Sequence, residues 1–224
     1  MDCADFYQFV RDTLNRGNTL DNVIPHYIRA AVREIENKRD FLQLHWWGEF
    51  TLTPSDDPII DLPSGLKKVN FLRYDVSDAA NRPEWRYVYQ AAPQEVVSRL
   101  SDDPKYYWLQ GRFQAILDAK LDSVDRKFEL SAFRYSQFPS ESAGVNTNHW
   151  LVDAIPTGLH ARVMMLMSGY IREDDPNMIR NWGQIYNEAI RDLEVEDEYT
   201  REANAPSEMI FWPEHVPYDK AFGE

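Results

Sequence analysis

The stretch "WRYVYQ", residues 85–90, places Trp85, Tyr87 and Tyr89 at every second position, alternating with Arg86 and Val88. A period of two sends successive side chains to opposite faces of an extended chain, so the run reads as a strand with two unlike faces. The same texture continues on both sides. "EFTLT" (49–53), "PIIDL" (58–62), "LKKVNFLRY" (66–74), "KYYWLQGRFQAILD" (105–118) and "RKFELSAFRY" (126–135) are short β-rich runs separated by turn residues. Together they predict a β sandwich or small barrel over residues 49–148. One short helix, "APQEVVSRL" (92–100), interrupts it, with Pro93 at its start and Val96, Val97 and Leu100 to pack.

Helical periodicity flanks this region. In "ADFYQFVRDTLN" (4–15), Phe6, Phe9, Val10 and Leu14 recur at helical spacing, and "RGN" (16–18) ends the run. A second helix carries the stripe Ile24, Ile28, Ala31 and Ile35, with Thr19 or Asp21 as its cap, Pro25 in its first turn and its end near Phe41. Trp46 and Trp47 of "HWW" then read as a packed hinge into the β-rich part. Beyond the loop at 139–148, Leu159, Val163, Leu166 and Tyr170 form another stripe, and "REDDPNM" breaks it. The last helix starts with Asp175 as N-cap and Pro176 at its first position, and it buries Met178, Trp182, Ile185, Ala189 and Leu193.

The expected fold class is therefore α+β. A discontinuous helical domain (1–48 and 149–200), whose last two helices pair as an antiparallel hairpin, carries an inserted β-rich domain (49–148) and an extended C-terminal tail (201–224).

Composition narrows the function classes. The formal charge of −13, from 24 Lys+Arg against 37 Asp+Glu, argues against a phosphate-gripping surface. A lone cysteine, Cys3, excludes an intramolecular disulfide framework. The acidic N-terminus is unlike a secretory signal, and no apolar run reaches membrane-spanning length, so a soluble protein is expected.

Candidate chemistry is sparse. Asp-Asp-Pro occurs at 56–58, 102–104 and 174–176, each time where an element ends, which turn and capping roles explain. His26, His45, His149, His160 and His215 lack zinc-site spacing and read as surface or helix-face residues. Gly65, Gly111, Gly144 and Gly158 stand alone, without a phosphate loop or nucleophile elbow. "VMMLM" (163–167) reads as core in preference to an adaptable binding surface. No catalytic, cofactor-binding or metal residue is assigned.

Taken in order, "FYQFVRDTLN", "IPHYIRAAVREIENKRDF" leading into "FTLT", "IIDLPSGLKKVNFLRY", "HARVMMLMSGYIREDDP" and "NWGQIYNEAIRDLEVEDE" resemble the head-to-tail adaptor (connector) proteins of tailed bacteriophages. The likeness covers residues 4–200 and lies in packing and turn patterns. It implies a non-enzymatic subunit made in the host cytoplasm and placed in the virion neck as a ring, twelvefold to match the portal. Helical hairpins would build the ring, the β-rich part would face the tail tube or nozzle protein, and the C-terminal extension would reach the portal.

Two site expectations follow. Met209, Ile210, Phe211, Trp212 and Pro213 have no evident core of their own, and Pro206, Pro213 and Pro217 keep that stretch extended; it is expected to be mobile in the free subunit and to dock on the portal. Glu188, Asp192, Glu194, Glu196, Asp197 and Glu198, opposed only by Arg191, are candidates to line the channel and let DNA slide without specific binding. The rival readings are a β-rich ligand- or glycan-binding protein or enzyme with an aromatic pocket, and an acidic mimic of DNA.

Overall fold

The structure, a computed structural model, describes residues 1–15, 17–77, 84–94, 103–119, 125–141, 147–170 and 176–204. Helix α1 (Cys3–Leu14) begins at a capping box: Asp2 accepts from the Asp5 backbone N–H at 2.8 Å, and Asp5 reaches back to the N–H of Asp2. Asn15, in the left-handed conformation (φ 48°), closes it. Phe6, Tyr7, Val10 and Leu14 face inward, while Phe9 lies at the surface against His160.

Helix α2 (Ile24–Lys38) carries Pro25 in its first turn and buries Ile24, Ile28, Ala31, Val32 and Ile35. Its capping differs from expectation. Gly17–Leu20 is a 3₁₀ turn, and Val23 precedes the helix without a side-chain cap. Asp21 is engaged elsewhere, accepting from Arg11 Nε at 2.7 Å. The helix also stops three residues before Phe41. Arg39 turns extended, and the Lys67 ammonium donates to the carbonyls of Glu36 (2.5 Å) and Arg39 (2.6 Å), taking over groups that the helix end leaves open.

The strands are β1 (His45–Leu52), β2 (Ile59–Asp61), β3 (Leu66–Asp75), β4 (Trp85–Gln90), β5 (Tyr106–Gln110), β6 (Gln114–Leu117) and β7 (Arg126–Arg134). They form one mixed, nearly closed sheet in the order β1-β7-β3-β4-β5-β6-β2, antiparallel except for β4 beside β5. Its inner face buries Leu52, Ile60, Leu72, Tyr74, Val88, Leu117, Phe128 and Leu130 in a core of its own. Gly65 (φ 76°) and Gly111 (φ 64°) make the β2–β3 and β5–β6 turns, where a side chain would strain the backbone.

"HWW" is not a hinge but the start of β1. Trp46 and Phe50, two steps apart on the inner face, bring their rings to 6.2 Å across Gly48, where an added Cβ would overlap the Trp46 ring. The short helix expected at 92–100 falls mostly outside the described residues.

After β7 the chain forms α3 (Trp150–Ala154), α4 (Pro156–Leu166) and α5 (Pro176–Asn204). Pro156 lacks the N–H that would continue α3, so the helix breaks at Ile155. Helix α4 ends at Leu166 and a 3₁₀ turn follows, which takes Tyr170 off the stripe that sequence spacing gave it. Helix α5 begins at Pro176, as the spacing predicts, but continues past residue 200 to Asn204. Its 29 residues give a length of about 43 Å.

Along α4 and α5, Gly158 meets Ala189, Arg162 lies over the Tyr186 ring (5.5 Å), and the Met165 methyl lies 3.9 Å from where a Cβ on Gly183 would sit. The pairs descend one helix as they ascend the other. A second core, with Phe6, Ile28, Ile35, Phe41, Leu151, Leu159, Val163, Met164, Trp182 and Leu193, joins all five helices. The methionine run therefore supplies core, with Met164 and Met167 fully buried.

Candidate functional site

Three surfaces or clusters carry the chemistry of this fold, and the first is the outer face of the sheet. Because Val88 joins Leu72 and Leu130 on the inner face, the alternating rings of β4 point out. Trp47 stands opposite Ser131, and Ser131 opposite Phe71; one step along, Glu49, Glu129, Arg73 and Tyr87 form the next row. Trp47 meets Phe71 edge-on at 5.4 Å, and Phe71 meets Tyr87 at 5.7 Å. The Arg73 guanidinium lies 4.7 Å from the Trp85 ring and 5.4 Å from that of Trp47, held by an ion pair with Glu129 at 2.6 Å. Trp47, Tyr87 and Tyr89 remain 43%, 46% and 65% exposed.

This is an interlocked aromatic surface. Its ring pairs meet edge to face, with interplanar angles of 76° and 83°. The alternation was visible in the sequence, but which face looked outward was not.

The second is helix α5. Glu188, Asp192 and Glu196 recur every four residues and are exposed, as is Glu198, whereas Glu194 is half-buried. Val195 and Tyr199 stand exposed among them. Asp197 departs from its sequence assignment: it is 1% exposed and faces the helical core's margin. It accepts from the Leu42 backbone N–H at 2.8 Å and from Arg201 Nε at 2.8 Å, with Arg39 Nε at 3.3 Å. Arg201 also donates to the Asp40 carbonyl. Asp197 thus locks α5 to the α2–β1 junction, and its carboxylate is not available to a channel.

The third is a polar cluster that sequence reading missed. Glu36 on α2, fully buried, accepts from the Ser136 hydroxyl and from Trp150 Nε1 (3.1 Å); Ser136 in turn lies 2.6 Å from His149 Nε2. An acid, a serine and a histidine in line invite comparison with a nucleophile triad, but the proton order is wrong. His149 Nδ1 accepts from the Leu151 backbone N–H (3.2 Å), so the neutral ring carries its proton on Nε2 and donates it to Ser136, whose own proton goes to Glu36. The ring has no free nitrogen with which to take the serine proton. Burial holds His149 down at about 4 and raises the Glu36 carboxyl, the latter against its hydrogen bonds from Ser136 and Trp150. The cluster ties α2 to the start of α3.

The remaining histidines divide. His160 is buried, stacked on Phe9 at 4.0 Å and hydrogen-bonded to Thr13, and burial lowers it to about 4. Of the expected surface or helix-face residues, His160 lies on the buried face of α4 and His149 is the buried N-cap of α3, whereas His26 and His45 are exposed. Asp56 accepts from the Thr53 backbone N–H at 2.7 Å in the turn that the first Asp-Asp-Pro was expected to make. Among the described residues no group of three or more His, Cys, Asp or Glu is placed to hold a metal ion, and no helix is long and apolar enough to cross a membrane. Met209, Ile210, Phe211, Trp212, Pro213 and His215 lie outside the described residues.

A family model described as SU10 adaptor protein matches residues 1–207 of the chain. Among curated proteins none matches it.

Proposed function

The chain belongs to the SU10 adaptor family, a phage head-to-tail adaptor family, and we propose that it assembles as a closed ring between portal and tail through which the genome passes. The observation that carries this reading is the extent of the match: residues 1–207 take in α1, the whole sheet and all of α5. A structural phage adaptor of the virion neck meets portal and tail proteins as a matter of position. The finer assignments below are ours.

The ring is twelvefold, matching the portal, with α4 and α5 at its subunit contacts and the β-rich part toward the tail tube or nozzle protein. Glu188, Asp192, Glu194, Glu196 and Glu198 face the channel. Each subunit brings a charge of −13, so such a ring repels DNA phosphates and lets the duplex slide. Met209–Pro213 dock on the portal, where repetition around the ring converts a modest contact into a strong one.

The test is genetic and structural together. Infection with a phage unable to make this chain should yield DNA-filled or DNA-leaking heads without tails, and purified subunit should restore tail attachment. Tailed, infectious particles in its absence would end the proposal.

A further inference from the structure

We propose that the last turns of α5, through Val195, Tyr199 and Glu202, dock on the exposed face of α2 of a second copy of the chain, at His26, Arg29, Ala30 and Arg33. The contact deepens the ring reading and rests on it, since it names the surfaces that join neighbouring subunits.

Charge complementarity carries the assignment. The chain is at −13 overall, yet the exposed residues of α2 are His26, Arg29, Ala30, Arg33, Asn37 and Lys38, without one acid. Among the described residues neither Arg29 nor Arg33 makes an ion pair: Arg29 donates to His26 Nδ1 at 3.3 Å, and the Arg33 guanidinium lies 3.2 Å from the centre of the Tyr135 ring. From Val195 onward the exposed residues of α5 are Val195, Glu196, Glu198, Tyr199, Glu202 and Ala203, without one cation. Two exposed helix faces of opposite sign thus stand without partners of their own, as the halves of a polar interface do.

An apolar pair sits among the acids. Val195 is 61% exposed and Tyr199, one turn on, 73%. Against them α2 offers Ala30, whose small side chain lets a ring come close to the helix.

The spacing matches as well. Val195, Tyr199 and Glu202 follow the interval i, i+4, i+7, and so do His26, Ala30 and Arg33, each stripe about 10 Å long. Laid antiparallel, with the helix dipoles opposed, the stripes set Tyr199 on Ala30, Glu202 between His26 and Arg29, and Val195 along the stem of Arg33. The ladder Glu188, Asp192 and Glu196 turns by about 40° at each step and leaves this face, so it stays outside the contact.

Within one chain the two faces cannot meet. Ile28 and Ile35 on the opposite side of α2 and Leu193 on the opposite side of α5 share one core, so both exposed faces look away from it. The contact is therefore heterologous: each copy gives α5 to one neighbour and α2 to the other, the arrangement that closes into a ring.

The experiment uses the full-length chain. Ala30→Cys and Tyr199→Cys are introduced together, disulfide-linked oligomers are followed under oxidising conditions, and circular dichroism checks that each variant folds; the native Cys3 is buried. The control pair is Ala30→Cys/Gln184→Cys, with Gln184 exposed farther up α5. Cross-linking between chains is expected for the first pair and several-fold less for the control. Adding Arg29→Glu to the first pair should lower it several-fold, and adding Glu202→Arg as well should restore it. Equal cross-linking of the two pairs, or cross-linking insensitive to the charge swap, overturns the contact. Oligomers that form, by mass, without the 30–199 cross-link overturn the contact and leave the ring reading standing, whereas a chain that stays single both alone and with portal overturns both.

Discussion

Replacing Asp197 by alanine tests whether this acid is a lock or a channel charge. The substitution strips three donors of their acceptor: the Leu42 backbone N–H, Arg201 and Arg39. The Leu42 N–H donates to Asp197 and has no second acceptor among the described residues, so its loss costs about 1–3 kcal/mol. The two guanidiniums are 32% and 36% exposed, and water recovers most of what they lose. The sum is about 2–4 kcal/mol, toward the lower side of the roughly 3–5 kcal/mol of a fully buried broken pair. For a chain of this size that lowers the melting temperature by about 5–12 °C. Asp197→Asn keeps an oxygen for the Leu42 N–H and should lose about half as much. Exposed Glu196→Ala should change stability by less than about 0.5 kcal/mol. Differential scanning fluorimetry of the three variants suffices. If Asp197→Ala melts with the wild type, or asparagine is as damaging as alanine, the lock is wrongly assigned.

Stability should fall on acidification between pH 6.5 and about 4, because His149 and His160 bind protons in the unfolded chain before they do in the folded one. The pair gives a slope of up to about 2.7 kcal/mol per pH unit, opposed in part by Glu36, whose raised carboxyl pKa acts in the other direction; urea melts across that range should show the slope, and His160→Gln should reduce it. Gly48→Ala forces the Trp46 ring off its place beside Phe50 and should cost about 1–3 kcal/mol, largely recovered by adding Trp46→Leu; melts and tryptophan emission report both. The triple variant Glu188→Gln/Asp192→Asn/Glu196→Gln should fold normally but slow genome release from assembled particles, more so at low salt; release kinetics unchanged at every ionic strength would put these acids on the outer wall.

Much of the fold was legible because local rules decided it. Pro176 marks the start of α5 by its missing N–H, and the helix begins there; its expected N-cap, Asp175, lies outside the described residues. Where two neighbours compete for one side chain, sequence spacing was silent: Asp21 was a reasonable cap for α2 until Arg11 claimed it. The orientation of β4 needed its partners. Three rings outweigh one valine locally, but Leu72 on the neighbouring β3, itself paired with Leu130 of β7, places Val88 inside.

Asp197 was legible and missed. Trp182, Tyr186, Ile190 and Leu193 form the buried stripe of α5, and Asp197 is the next position on it, which the surrounding run of acids disguised. The Glu36–Ser136–His149 chain was not legible, since it joins residues 100 apart through a fold that spacing cannot anticipate. The docking segment and channel acids depend on assembly, and a single chain carries only their charges and apolar residues.

The central claim is that this chain bridges portal and tail as a ring, and mass measurement of purified portal mixed with the free subunit addresses it most directly. Twelve copies of a 26.3 kDa chain bound to one portal ring predict a single species heavier than portal alone by 12 × 26.3, about 316 kDa. A portal whose mass is unchanged at saturating subunit, with the subunit remaining at 26.3 kDa, would contradict the account.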